Sequence, residues 1–348
     1  MKFIHIADVH WGAQPEKDRS FGRIRENEIK HTFQKVIDYA NKQQTDVLLI
    51  AGDFFDQRPT KQELREVDYI LSGLQNTKTV MIAGNHDHLS TEEEFVKYHW
   101  NSEVYLLDGR ERNYVYFEEL HTTIYGISYW TNQIREAVYD DMKPQDFDEF
   151  SILLAHGGDE SHIPINKDIL KWSGFDYIAL GHIHKPQAMG REMVRYAGSI
   201  LKYSFSEIHM DKKATILTID AKKEISLSFH PLKPLRDMRE IECSLEELLK
   251  KQCEIGNQED YMHVILTDEE QILDAIGKVR TIYPNVMQIS FKNRRHMKQL
   301  ESAQIKEDQI SDQSPAELFE QFYKMQNHID LDEKRLQLVL SVFEEVIR

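Results

Sequence analysis

Five short segments end in side chains able to hold a divalent cation. They are Asp8 and His10 in "ADVH", Asp53 in "AGDFFD", Asn85 and His86 in "AGNHDH", His156 in "LAHGG", and His182 and His184 in "LGHIH". The set offers carboxylate, imidazole and amide groups and no thiolate, which suits hard or borderline ions such as manganese rather than a structural zinc site. Asp-x-His and His-x-His each turn two groups toward one side of a strand end, because alternate residues share a face. Such a collection is what two ions need when they sit about 3.5–4 Å apart, share one carboxylate and clamp a phosphate between them. Singly the members are weak, since a strand-end Asp is commonly a cap and most of the 16 histidines belong to core or surface. Their joint occurrence, each after an apolar run, carries the signal.

The runs before these groups predict buried strands. "KFIHIADVH", "TDVLLIAGDFFD", "KTVMIAGNHDH", "FSILLAHGG" and "FDYIALGHIH" are β-branched or Leu-rich and of strand length. They are apolar at consecutive positions, so other layers must cover both faces. Helical stretches separate the first three. Ile29, Phe33, Val36, Ile37 and Ala40 fall on one side of a helix, and Thr60 with Glu63 and Ser90 with Glu93 form capping boxes. Strand–helix alternation places the chain in the α/β class, where sites gather beyond the carboxyl ends of strands. From Tyr196 onward, "RYAGSILKYSFSE" and "KKATILTIDAKKEISLSFHPL" read as antiparallel strands closing a first domain, residues 1–232. Residues 233–300 read as a small α+β domain, 301–313 as a polar linker and 314–348 as two closing helices. Leu336, Val339, Leu340, Phe343 and Ile347 keep helical spacing in the second of these.

The 348 residues carry 43 basic and 59 acidic side chains, a formal net charge of −16, with 41% hydrophobic content. That is enough apolar material for one large domain and a smaller one. The acid excess excludes a globally basic nucleic-acid binder, so nucleic acid must be met by a local basic patch or through bound cations. Cys243 and Cys253 match neither a zinc pattern nor a disulfide framework and read as small side chains in a reducing compartment. No apolar run approaches membrane-spanning length, and His5 and Asp8 interrupt the first run too early for a signal peptide. A cytoplasmic protein with no membrane partner is expected.

The series "DVH…GDFFD…GNHDH…AHGG…LGHIHKPQ" resembles the calcineurin-like metallophosphoesterases. With "RYAGSILKYSFSE" and "SPAELFEQFY" the resemblance narrows to the SbcD-type DNA-repair nucleases. It is dense over residues 1–210 and thins over 235–300. Trp11 after His10, and Gly157-Gly158 after His156, depart from the pattern without removing a ligand. The resemblance implies a β-sandwich flanked by helices, a DNA-binding capping domain over 233–300, and a C-terminal segment that docks an ATPase. It further implies that Asp8, His10 and His184 hold one Mn2+, that Asn85, His156 and His182 hold another, and that Asp53 bridges them, with Mg2+ as a substitute. His86 would stand beside the scissile phosphate, stabilising the transition state or protonating the leaving oxygen. Asn85 would add no negative charge beside the phosphate, and Gly84 would let the chain turn sharply. Asp56 and Asp87 would orient neighbouring imidazoles.

The activity so implied is metal-dependent DNA hydrolysis, 3′–5′ on duplex ends and endonucleolytic on single strands, in an SbcCD-like repair and recombination complex. There the chain would be a nucleoid-associated homodimer, formed through the helices after Asp56 and after His88. A coiled-coil ABC-type ATPase of the SbcC kind would complete a heterotetramer. A phosphoesterase of the same fold acting on small phosphodiesters or phosphoproteins is the alternative. The intact ligand set disfavours a non-catalytic scaffold. Basic candidates for DNA contact are Arg58, Lys61, Arg110, Arg112 and the run from Lys292 to Lys298, which includes Arg294 and Arg295. That run reads equally as a solvated charged face. Tyr203 and Phe205 read as packing residues. The closing helices would dock on the ATPase or pack on each other.

Overall fold

The computed structural model describes residues 1–14, 21–89, 94–109, 112–145, 149–220, 222, 224–253, 256–270, 272–292, 319, 323, 335 and 336. The expected linker at 301–313, most of the closing helices, the Ser90–Glu93 cap, Arg110, and residues 293–298 with Arg294 and Arg295 lie outside them. The chain divides into two compact units, residues 1–240 with 259–262, and residues 241–258 with 263–348.

In chain order the first unit carries β1 (Lys2–Ile6), α1 (Phe21–Gln43), β2 (Val47–Ala51), α2 (Lys61–Leu71), β3 (Lys78–Ile82), α3 (Glu94–Lys97), β4 (Val104–Leu106), β5 (Tyr114–Phe117) and β6 (Thr122–Gly126). It continues with β7 (Phe150–His156), α4 (Lys167–Lys171), β8 (Tyr177–Gly181), β9 (Gln187–Met189), β10 (Arg191–Tyr196), β11 (Lys213–Ile219) and β12 (Ile225–Pro231). Two six-stranded sheets result, ordered β12-β11-β1-β2-β3-β4 and β5-β6-β7-β8-β10-β9. The consecutive apolar residues are explained by three core layers. In β2, Leu48 and Ile50 pack with Ile4, Ile6, Ile29 and Phe33 toward α1, while Val47, Leu49 and Ala51 meet Ile152, Leu154, Tyr177 and Ala179 of the other sheet. In β7 and β8 the opposite face, Leu153, Ala155, Ile178 and Leu180, packs with Tyr129, Tyr139 and Leu170. The first unit is thus an α/β structure built on a β-sandwich with helices outside it. Each fully buried Leu or Ile contributes roughly 1.5–3 kcal/mol.

The sheet closure differs from expectation. β10 runs parallel to β8, pairing Val194 with Ile178, and antiparallel only to the short β9, pairing Tyr196 with Gln187, while "AGSILKYSFSE" after it holds no strand and ends in a 3-10 turn at Phe205–Glu207. Gly198, at φ +76°, breaks the extension. In the first sheet antiparallel pairing comes from β11, which joins β1 (Lys2 opposite Thr218) and β12. The elements that follow are β13 (Met238–Cys243), α5 (Leu245–Leu249), β14 (Tyr261–Leu266), α6 (Ala275–Arg280) and β15 (Val286–Phe291), with a sheet ordered β13-β14-β15. The capping boxes Thr60/Glu63 and Ser244/Glu247 open α2 and α5. Among the described residues no helix is long and apolar enough to cross a membrane.

His5 sits between the two sheets, fully buried, with Nδ1 2.9 Å from the Tyr177 hydroxyl. Burial, aided by the Arg195 charge, pushes its pKa down to about 3. The folded-state value is depressed below the ordinary histidine value. Below pH about 6.5 the unfolded chain therefore takes up a proton that the folded chain refuses, and stability falls as pH drops toward 3. Urea titrations of wild type and His5→Leu should diverge in slope between pH 6.5 and 4 by up to about 1.4 kcal/mol per pH unit. Parallel profiles would refute the assignment.

Candidate metal centre

The parallel strands β1, β2, β3, β7 and β8 deliver the predicted side chains to one edge of the sandwich. Asp8 and His10 follow β1, Asp53 follows β2, Asn85 and His86 follow β3, His156 closes β7, and His182 and His184 follow β8. Main-chain bonds tie the first two loops together: Asp8 N–H to Gly52 O at 3.2 Å, His10 N–H to Asp53 O at 3.1 Å, and Trp11 N–H to Phe54 O at 2.7 Å. Strand alternation does not aim the groups, because β1 ends at Ile6 and β8 at Gly181. Instead Asp8, His10, Asp53 and His182 take positive φ values of 52°, 50°, 48° and 97°. Backbone that L-residues avoid is concentrated here, held by the surrounding packing.

Asp8, His10 and His184 form one cluster and Asp53, His156 and His182 a second, with the donor atoms of each within 4.8 Å of one another. Asn85 Oδ1 lies 3.1 Å from His156 Nε2 and 3.2 Å from His182 Nδ1. Asp53 Oδ2 lies 3.3 Å from His156 Nε2, and Asp53 also clusters with His10 and His86. Each inward imidazole has an oxygen behind it, and three of the four are hydrogen-bonded there. His156 Nδ1 donates to Ala51 O at 2.9 Å, and His182 Nε2 faces Asp159 Oδ2 at 2.9 Å. His184 Nδ1 faces Glu207 Oε1 at 3.1 Å, and His10 Nδ1 lies 3.2 Å from Asp56 Oδ1. An acceptor on the outer nitrogen keeps the proton there and turns the other lone pair inward. The inward Nε2 atoms of His10 and His184 are 3.2 Å apart, which two lone pairs tolerate only around a shared proton or a cation. The donor set therefore fits divalent ions.

The electrostatics agree. Burial disfavours a charged His156, yet the adjacent Asp53 carboxylate outweighs it and raises the pKa to about 9. Burial likewise resists ionisation of Asp53, but His156, with His10 and His86, holds it well below the usual carboxylate range. Burial and the His156 charge push His182 down. A bound cation would take the place of the protons these groups share.

His86 lies at the mouth, its side chain 44% exposed. Its N–H donates to Asp53 Oδ1 at 2.9 Å, its Nδ1 to Asp56 O at 3.0 Å, and its ring stands edge-on to His10. Two clefts meet beside it. One of about 470 Å³ is lined by Arg58, Asn85, Asn132, Gln133 and His162, and one of about 410 Å³ by His10, Asp53, His184 and Tyr203. Asp87 departs from expectation. Its buried carboxylate orients no imidazole but accepts the Phe55 and Gly84 amides at 3.0 and 2.6 Å, bracing the two loops together. Burial and the Asp53 charge push its pKa up to about 7. Arg58 is exposed and donates to His88 Nε2 at 2.8 Å. Lys61 pairs with Glu94 and Lys292 with Glu242. Tyr203 packs edge-on against His10 and donates to Val9 O. Sequence reading missed Asp159 and Glu207. The Asp159-x-x-His162 spacing was a faint signal for the first, and nothing local marks the second.

Gly84 serves by close approach rather than by a special turn. A Cβ there would fall 2.2 Å from Asp53 Oδ1 and 2.7 Å from His156 Nε2. Gly84→Ala should therefore weaken divalent-cation binding by about tenfold or more, read by calorimetric titration; unchanged affinity would refute the crowding.

Residues 1–186 match the calcineurin-like phosphoesterases, and residues 234–327 match a family described as the type 5 capsule protein repressor C-terminal domain. The chain belongs to the calcineurin-like phosphoesterase family. As a whole chain it is similar to the SbcD subunit of the SbcCD nuclease of Staphylococcus epidermidis, 27% identical over 365 aligned residues and 93% of either chain. It is also similar to the protein of the same name from Staphylococcus saprophyticus, 27% identical over 90% of this chain and 92% of that one. The crystal structure of TT1561 of Thermus thermophilus covers 66% of this chain and 98% of its own at 10% identity, with a TM-score of 0.38.

Proposed function

We propose that the chain is the nuclease subunit of an SbcCD-type DNA repair complex, hydrolysing phosphodiesters at a two-manganese centre. The observation that carries this is the convergence of four imidazoles, each with an oxygen beside its outer nitrogen, with Asp8, Asp53 and Asn85 at one edge of the sandwich. Similarity to two SbcD subunits of SbcCD nucleases over nine-tenths of the chain supports the substrate. Asp8, His10 and His184 would hold one ion, Asn85, His156 and His182 would hold the other, and Asp53 would be shared between them. Bound ions supply the Lewis acidity that activates the attacking water and neutralises phosphate oxygens.

The chain's own part is placement and proton delivery. Asn85 contributes an uncharged oxygen, which spares the approaching phosphate an added repulsion. His86 has Nδ1 committed to Asp56 O, which leaves Nε2 to face the phosphate and protonate the leaving oxygen. Arg58 beside it meets the backbone of the strand, and the ions offset the net charge of −16. Residues 1–232 form the nuclease domain, 233–300 a DNA-binding cap, 301–313 a linker, and 314–348 a docking segment for the ABC-type ATPase. The subunit acts as a homodimer on DNA in the cytoplasm, degrading duplexes from 3′ ends and cutting single strands.

The test is end-labelled duplex DNA incubated with Mn2+, beside bis-p-nitrophenyl phosphate. Label should be released, and chelation should abolish the release. Rapid turnover of the small ester with DNA untouched would overturn the reading.

A further inference from the structure

The two histidines of the Gly181-His182-Ile183-His184 segment are held in opposite senses. His182 meets a carboxylate through Nε2, 2.9 Å from Asp159 Oδ2, whereas His184 meets one through Nδ1, 3.1 Å from Glu207 Oε1. Both carboxylates are themselves fixed. Asp159 Oδ1 accepts the Ser161 and His162 amides at 2.8 and 2.9 Å, and its Oδ2 lies 2.9 Å from His162 Nδ1. Glu207 Oε2 accepts from Lys212 Nζ at 2.6 Å, and both side chains are nearly buried. The same ammonium donates to His184 O at 2.8 Å and to Ser199 Oγ at 2.7 Å. Lys212 therefore anchors both the main chain of His184 and the carboxylate behind its ring.

We propose that Asp159 and Glu207 are positioning residues that lock His182 and His184 into opposite tautomers, so that one three-residue turn supplies Nδ1 to one metal position and Nε2 to the other. The chemistry follows from imidazole itself. A neutral ring has one N–H and one lone pair, and a carboxylate beside one nitrogen draws the proton there. With the proton on Nε2, His182 presents Nδ1 toward Asn85 and His156; with the proton on Nδ1, His184 presents Nε2 toward His10 and Asp8. Were both rings in the same tautomer, one of them would aim an N–H at its ion. The inference rests on the two-metal reading, and it adds which group behind each ring serves which ion.

The test uses the full chain with histidine nitrogens labelled by 15N. Two-bond proton–nitrogen correlation spectra of the metal-free protein should show His182 protonated at Nε2 and His184 at Nδ1. In Mn2+ titrations read by calorimetry and electron paramagnetic resonance, wild type should bind two ions with a coupled-pair signal. Asp159→Ala and Glu207→Gln should each weaken one ion by about 10–100-fold and leave the other bound, giving an uncoupled Mn2+ spectrum. Asp159 is half exposed, so its variant folds whatever becomes of the buried Glu207–Lys212 pair. The same tautomer at both rings, or two ions bound with wild-type affinity in both variants, would overturn the proposal while leaving the two-metal reading intact. A wild type that binds no Mn2+ would remove the two-metal reading, and the spectra would still decide the tautomers.

Discussion

Replacing Asp53 with asparagine is expected to lower Mn2+-dependent DNA hydrolysis by on the order of 10³-fold or more. Asp53 is 2% exposed and reaches both donor clusters, toward His156 on one side and His10 on the other. An amide there would withdraw the negative charge that the proposed centre needs between two cations, which would then repel. The fold should survive, because asparagine keeps an oxygen for the His86 amide, now 2.9 Å from Asp53 Oδ1. Circular dichroism and Mn2+ titration of the variant check this. A native spectrum with one ion or none bound, and no label released, is the expected outcome. Two ions bound at wild-type affinity would remove the bridging role.

His86→Gln is expected to separate metal binding from chemistry. General acid catalysis is worth roughly 10²–10⁴-fold, so cleavage should fall by that factor while Mn2+ binding stays unchanged. The side chain is 44% exposed, so stability should not move. The variant also decides an ambiguity in the geometry, since His86 lies close enough to His10 and Asp53 to be counted among possible ligands. Loss of an ion in His86→Gln would make it a ligand, and retained cleavage would remove it from the mechanism.

The sandwich strands that carry the site were legible because they are buried on both faces, which leaves unbroken apolar runs with polar ends. The edge was not. β5 and β6, "YVYF" and "TTIYG", pair antiparallel, and β5 lies partly exposed at the margin, so no such run announces them. Stretch 195–207 read as strand because of its apolar content, yet Gly198 turns the chain and Tyr203 packs against His10. Within the site the inward groups were legible as residue types clustered at strand ends. What holds them was not, since Asp159 and Glu207 become partners of His182 and His184 only through long-range folding. Asp87 illustrates the converse: its place in the motif suggested an imidazole partner, but its burial beside two main-chain amides that need an acceptor gives it a loop-bracing role.

The most direct measurement is anomalous diffraction at the manganese edge from a crystal soaked in Mn2+. Two peaks about 3.5–4 Å apart, flanking the Asp53 carboxylate, are the expected result. An empty site at saturating Mn2+, or a single peak away from Asp53, would contradict it.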